Sequence, residues 1–181
     1  MRILAEETMA LVVDFQERLL PVIDQSEELL RRSGILVKGL KALGIPMVVS
    51  QQYTKGIGMT VPAIAEAVGE DFAYLDKLAF SCAEDEQLLA KLREIGRKNI
   101  ILCGIEAHIC VLQTAIDLLA MGYQVILVED CIGSRKENDK AVAIRRAEAE
   151  GAVLTTYEAI LFELTRVAKT DLFKTISGLI K

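Results

Sequence analysis

Cys110 is the residue in this chain whose type and place most invite chemistry. It closes the stretch Ile100-Ile101-Leu102-Cys103-Gly104-Ile105-Glu106-Ala107-His108-Ile109-Cys110, a short apolar run that breaks at Gly104. A helical pattern from Val111 to Met121 follows. A thiol at the start of a helix faces unpaired backbone N–H groups and the positive end of the helix dipole. Both favour the thiolate, the nucleophilic form, and the chemistry implied is attack on a carbonyl. Position alone leaves an inert buried cysteine as the alternative. The other three cysteines have weaker claims. Cys103 lies within the apolar run and reads as a small buried hydrophobe. Cys82 is followed by Glu84, Asp85 and Glu86, which oppose a thiolate, and Cys131 sits beside Asp130.

Asp14 ends the apolar run Met9-Ala10-Leu11-Val12-Val13. It is either a strand-end carboxylate bonded to backbone amides or a general base. Lys77 is either a surface lysine or, beside Cys110, a charge that stabilises the thiolate. His108 is two residues from Cys110, a separation that does not make a catalytic hydrogen bond, and it reads as pocket-lining or structural. Glu106 draws attention for its backbone rather than its acid. Its N–H and that of Cys110 could together bind a developing oxyanion. Gly56-x-Gly58 follows a strand without opening a helix, so it reads as a mobile loop rather than a phosphate cradle.

Those residues must be held by the elements around them. Apolar runs at 9–13, 46–50, 72–76, 99–103, 123–128 and 151–155 read as six strands. Helical patterns fall between them, from Ser26 to Gly44, Pro62 to Val68, Glu84 to Ile95, Cys110 to Met121 and Glu137 to Glu150. Two more, Tyr157 to Arg166 and Asp171 to Ile180, close the chain. Strict alternation of this kind predicts an α/β fold: one domain over 1–181, a doubly wound, mostly parallel six-stranded sheet with helices on both faces. Sites in such sheets lie beyond the carboxyl ends of the strands, where Asp14, Lys77 and Cys110 all fall. In the order 3-2-1-4-5-6, Asp14 and Cys110 follow neighbouring strands, about 4.8 Å apart. Lys77 comes from a strand two places out and must reach inward.

Composition removes several classes of function. A net charge of −5 argues against a phosphate-binding surface, so nucleic acid is not an expected partner. No apolar run reaches membrane-spanning length, and the N-terminus lacks a signal-peptide core, so the expected compartment is the cytoplasm. Four cysteines without a Cys-x-x-Cys pair read as reduced thiols. A single histidine cannot build a histidine-rich zinc site, and no Gly-x-Ser-x-Gly elbow is present. Chemistry is pushed towards cysteine, lysine and carboxylates, with no cofactor expected. The Val111–Met121 helix is apolar on most faces, which suits burial in the domain or at a subunit contact.

Taken together, several stretches resemble the isochorismatase-like cysteine hydrolases. They are Asp14-Phe15-Gln16, Ser50-Gln51-Gln52-Tyr53 with Lys55-Gly56, Asp76-Lys77 with Phe80-Ser81, and Gly104 through Cys110. The resemblance spans nearly the whole chain and is nearest to the isochorismatase-domain-containing subgroup. It implies a triad of Asp14, Lys77 and Cys110, a non-proline cis peptide between Ile105 and Glu106, and an oxyanion hole from the N–H groups of Glu106 and Cys110. The activity implied is metal-independent acyl transfer on a small amide or related C–N substrate, with a homo-oligomeric protein as its vehicle. Phe15, Gln16, Tyr53 and His108 are the expected pocket walls. Two departures qualify the resemblance. Nicotinamidases of the family place an Asp and histidines after the second strand to hold a metal, and here Gln51-Gln52-Tyr53 stand instead. Isochorismatases proper lack the cysteine, and this chain keeps it. A vinyl ether hydrolase using Asp14 as acid, and a non-catalytic oligomeric member, are the alternatives.

Overall fold

A computed structural model describes residues 2–181. Six strands form one sheet in the order β3-β2-β1-β4-β5-β6, and every pairing is parallel. The strands are β1 (Thr8–Val13), β2 (Met47–Gln52), β3 (Leu75–Lys77), β4 (Asn99–Ile105), β5 (Gln124–Gly133) and β6 (Val153–Thr155). The helices are α1 (Ser26–Ala42), the single turn α2 (Thr54–Ile57), α3 (Pro62–Val68), α4 (Glu86–Ile95), α5 (Leu112–Ala120), α6 (Glu137–Ala149), α7 (Tyr157–Thr165) and α8 (Asp171–Ile180). Among the described residues no helix is long and apolar enough to cross a membrane.

The apolar runs are continuous because both faces of the sheet are covered. Successive side chains point to opposite faces. Ala10, Val12, Ile101, Cys103, Ile126 and Val128 therefore pack on one side with α1, α3 and α7. Met9, Leu11, Val13, Ile100, Leu102, Val125 and Leu127 pack on the other with α4, α5 and α6. Cys103 is a core residue, and so is Cys131, which lies on the α1 side.

Three departures from the sequence reading matter for the site. The third strand is short and lies later than 72–76, which puts Lys77 inside it, paired beside Gln52. The fourth runs past 103 through Gly104, whose φ is +136°. A Cβ there would collide with the Val13 carbonyl oxygen, so glycine allows β4 to press against the end of β1. The fifth strand does not stop at Val128. It pairs with β6 through Ile126–Val128, bulges through Glu129 to Cys131, and returns to β4 where Gly104 faces Ile132. That return carries Ser134 and Arg135 across to the end of β4.

Candidate active site

Asp14 is the first residue past β1, with φ +52°, a left-handed conformation that aspartate tolerates better than most residues. Its N–H donates to the Ser50 carbonyl at 3.2 Å, which fixes it beside β2. Its side chain is fully buried. The Ser50 hydroxyl donates to Asp14 Oδ1 at 2.7 Å, and Lys77 Nζ donates to Oδ2 at 2.8 Å. Lys77 does span two strands to arrive there, and it is as buried as its partner.

An ammonium removed from water needs all its protons placed. Besides Asp14, Lys77 Nζ donates to Gln52 Oε1 at 2.6 Å and to the Phe80 carbonyl at 3.0 Å, with the Ala79 carbonyl at 3.3 Å. Burial acts against the Lys77 charge. The Asp14 carboxylate, with smaller contributions from Cys82 and Cys110, outweighs it and moves the amine's pKa up. The lysine is a held cation.

Cys110 completes the group from the other side. A π-helical turn, Ala107–Val111, carries it and runs into α5. The Asp14 and Lys77 charges act on its thiol in opposite directions, Asp14 raising its pKa and Lys77 lowering it. Only 5 % of the residue is exposed. The influences on the thiol run against the expected thiolate. Burial first, then the Asp14 charge and hydrogen bond, push the thiol up to about 12, and Lys77 counteracts only part of this. The lysine charge is shared with a carboxylate that it also touches, and the cysteine lies inside a π turn rather than at a free helix start.

Cys82 belongs to the same cluster. Its Sγ lies 3.5 Å from Ser50 Oγ, and its N–H donates to Thr114 Oγ1 at 2.9 Å. Its thiol is raised to about 11, by burial and then by Asp14, not by the acids that follow it in sequence. Ser50, Gln52 and Cys82 were not singled out as site residues from sequence. Only the register of Val13 against Ser50, and of Gln52 against Lys77, could have found the first two.

The loop between β4 and the π turn is tied down from β5. The Ile105–Glu106 peptide is cis. The Glu106 carbonyl accepts from the N–H groups of Ile109 and Val111, at 3.1 and 3.2 Å, and the Glu106 N–H takes no part in those bonds. His108 Nδ1 pairs with Ser134 Oγ at 2.9 Å, so its ring is engaged away from the sulfur.

Of the four expected pocket walls, Tyr53 is about half exposed and His108 is partly buried. Phe15 and Gln16 stand differently. Phe15 is fully buried in the core. The Gln16 amide is spent on backbone, donating to the Gln52 and Gly58 carbonyls and accepting from the Gln52 N–H. These two residues brace the ends of β1 and β2 rather than face an opening. Gln51 is likewise committed, to Thr60 and Thr54. A cavity of about 380 Å³ lies farther along the sheet, where α1 and α6 flank β5, and it meets this region only at Ser134.

The fold and cluster define a doubly wound α/β protein with a buried lysine–carboxylate pair set against a cysteine. The comparisons name that class: residues 8–159 match the isochorismatase domain, and the chain belongs to the isochorismatase family. Isochorismatase domain-containing protein 1 of Danio rerio is 37% identical over 169 residues, which cover 93% of this chain and 59% of that protein. Isochorismatase domain-containing protein 2 of the same fish is 34% identical over 180 residues, covering 99% and 89%. Among solved structures, the MAR1 ribonuclease of Caenorhabditis elegans is 37% identical with a TM-score of 0.92, covering 99% of this chain and 92% of that one. The octameric YcaC hydrolase of unknown specificity from Escherichia coli shares the fold at 22% identity, with a TM-score of 0.92 and coverage of 99% and 89%.

Proposed function

We propose that this chain is a metal-independent cysteine hydrolase of a small amide or related C–N bond. What carries the reading is the buried Lys77–Asp14 pair, 2.8 Å apart, with the Cys110 thiol against it. As the sulfur attacks the substrate carbonyl carbon, its proton passes to Asp14. The carbonyl π pair moves onto oxygen, where the N–H groups of Glu106 and Cys110 receive it. The C–N bond breaks as the pair returns, and the amine leaves with the proton from Asp14. Water, deprotonated by Asp14, then cleaves the Cys110 thioester and releases the acid. Lys77 holds the carboxylate in place and balances the charge that accumulates on sulfur and oxygen. In this reading Tyr53 and His108 are the side chains that meet a small substrate, and a homo-oligomer is the expected assembly.

The ribonuclease named among its relatives favours a second reading, cleavage of RNA. The net charge of −5 and the burial of Cys110 weigh for a small neutral substrate instead. A panel of small aliphatic and aromatic amides, assayed for ammonia release beside an RNA degradation assay, separates the two. The expected result is ammonia from at least one amide and intact RNA. Degradation of RNA without turnover of any amide would reverse the assignment.

A further inference from the structure

Glu106 carries a carboxylate that is only 4 % exposed, at the point where β4 gives way to the turn bearing Cys110. A buried carboxylate must be compensated. One residue does it. Arg135, on the segment following β5, donates from Nη2 to Oε1 at 2.8 Å and from Nε to Oε1 and Oε2 at 3.1 and 3.2 Å. Its backbone N–H adds a fourth contact to Oε2, at 3.3 Å. A planar guanidinium gripping both oxygens sets orientation in a way a point charge does not. The same segment holds His108 through Ser134, and the Ser134 carbonyl is in turn anchored by the Asp24 N–H at 3.0 Å. Glu106 is thus fixed at its carbonyl by the π turn and at its carboxylate by Arg135. Its N–H is the group left to point elsewhere.

We propose that Arg135 is a positioning residue for the oxyanion site: by clamping the Glu106 carboxylate it aims the Glu106 N–H at the oxygen on which charge develops. Arg135 acts through Glu106, to which its guanidinium is bound. The inference rests on the acyl-transfer reading above and names a residue that reading does not use. Hydrogen bonds weaken steeply with angle. Deleting one oxyanion donor slows an enzyme roughly 10²–10³-fold, so misdirecting one is expected to remove about ten-fold of that.

Two neutral thiol reagents test this without knowledge of the substrate. With iodoacetamide, sulfur displaces iodide and the amide oxygen gains no charge. With acrylamide, sulfur bonds to the terminal carbon, the π pair moves onto the amide oxygen, and the enolate then takes a proton at its α carbon. Only the second reaction reads the oxyanion donors. Rates of modification at Cys110 are measured by peptide mass spectrometry on the full chain, for the wild type, Arg135→Ala, Arg135→Lys and Glu106→Gln. The expected result is an acrylamide-to-iodoacetamide rate ratio about ten-fold lower in Arg135→Ala, with the iodoacetamide rate within two-fold of wild type. Arg135→Lys, which keeps the charge and loses the fork, is expected to fall between, and it and Glu106→Gln carry the comparison should the alanine variant not fold. An unchanged ratio, or equal slowing of both reagents, would overturn the role of Arg135. A wild-type ratio no higher than that of free cysteine would instead overturn the oxyanion reading on which it rests.

Discussion

Asp14→Asn is expected to yield a protein with a more acidic Cys110 thiol and almost no turnover. The two effects point in opposite directions, which is what makes the variant informative. After burial, the Asp14 charge and its hydrogen bond are what raise the thiol, while Lys77 lowers it. An amide in place of the carboxylate removes both raising influences and leaves the lysine unshared. The thiol pKa therefore falls from about 12. More thiolate at neutral pH would normally mean a better nucleophile. In the proposed mechanism it does not rescue turnover, because nothing then protonates the leaving amine or activates water. General acid–base assistance is worth about 10²–10⁴-fold, and a loss of that size is expected. Thiolate absorbance against pH, with Cys110→Ser as the blank for the other thiols, gives the first quantity. Ammonia release from an amide found in the panel gives the second. Turnover within ten-fold of wild type would remove Asp14 from the mechanism.

Lys77→Met is expected to cost stability as well as activity. It leaves a carboxylate buried without its cation, and breaking a buried pair from one side costs about 3–5 kcal/mol. At this chain length that corresponds to a melting temperature lower by roughly 6–20 °C. The Cys110 thiol should rise further, since Lys77 is a charge that lowers it. The double variant Asp14→Asn, Lys77→Met removes both charges and should melt above the lysine single variant. A single variant that melts within 2 °C of wild type would mean that the pair is not held out of water as the structure has it.

The scaffold was legible where one physical constraint dominates. Met9–Val13 and Ile100–Cys103 are apolar without alternation because both sides of the sheet are covered, and the alternation of elements implies a parallel sheet, for which 3-2-1-4-5-6 is one of the doubly wound orders. The inward reach of Lys77 could be anticipated from that order alone. Its supporting contacts could not. Ser50, Gln52 and Cys82 come together by register and loop packing, across sequence separations that carry no local pattern. A dipole argument for a thiolate needs an exposed helix start. Cys110 sits in a buried π turn, where burial first and then Asp14 raise the thiol. The fifth apolar run ends at Val128 in sequence, whereas the strand continues through a bulge at Glu129–Cys131. That bulge is why Arg135 reaches Glu106, so the carboxylate clamp was invisible and only the backbone of Glu106 drew notice. Phe15 and Gln16 sit next to Asp14 in sequence, yet their side chains turn into the core and the loop backbone.

In the proposed mechanism a proton leaves Cys110 for Asp14 as the sulfur attacks. The rate of iodoacetamide modification at Cys110 between pH 6 and pH 9 reads this directly. A thiol that titrates near 12, with its base built in, should react at a rate flat across that range, while in Asp14→Asn the rate should climb about ten-fold per pH unit below its own thiol pKa. A wild-type rate that itself climbs ten-fold per unit throughout would show free thiolate as the attacking species and contradict the account.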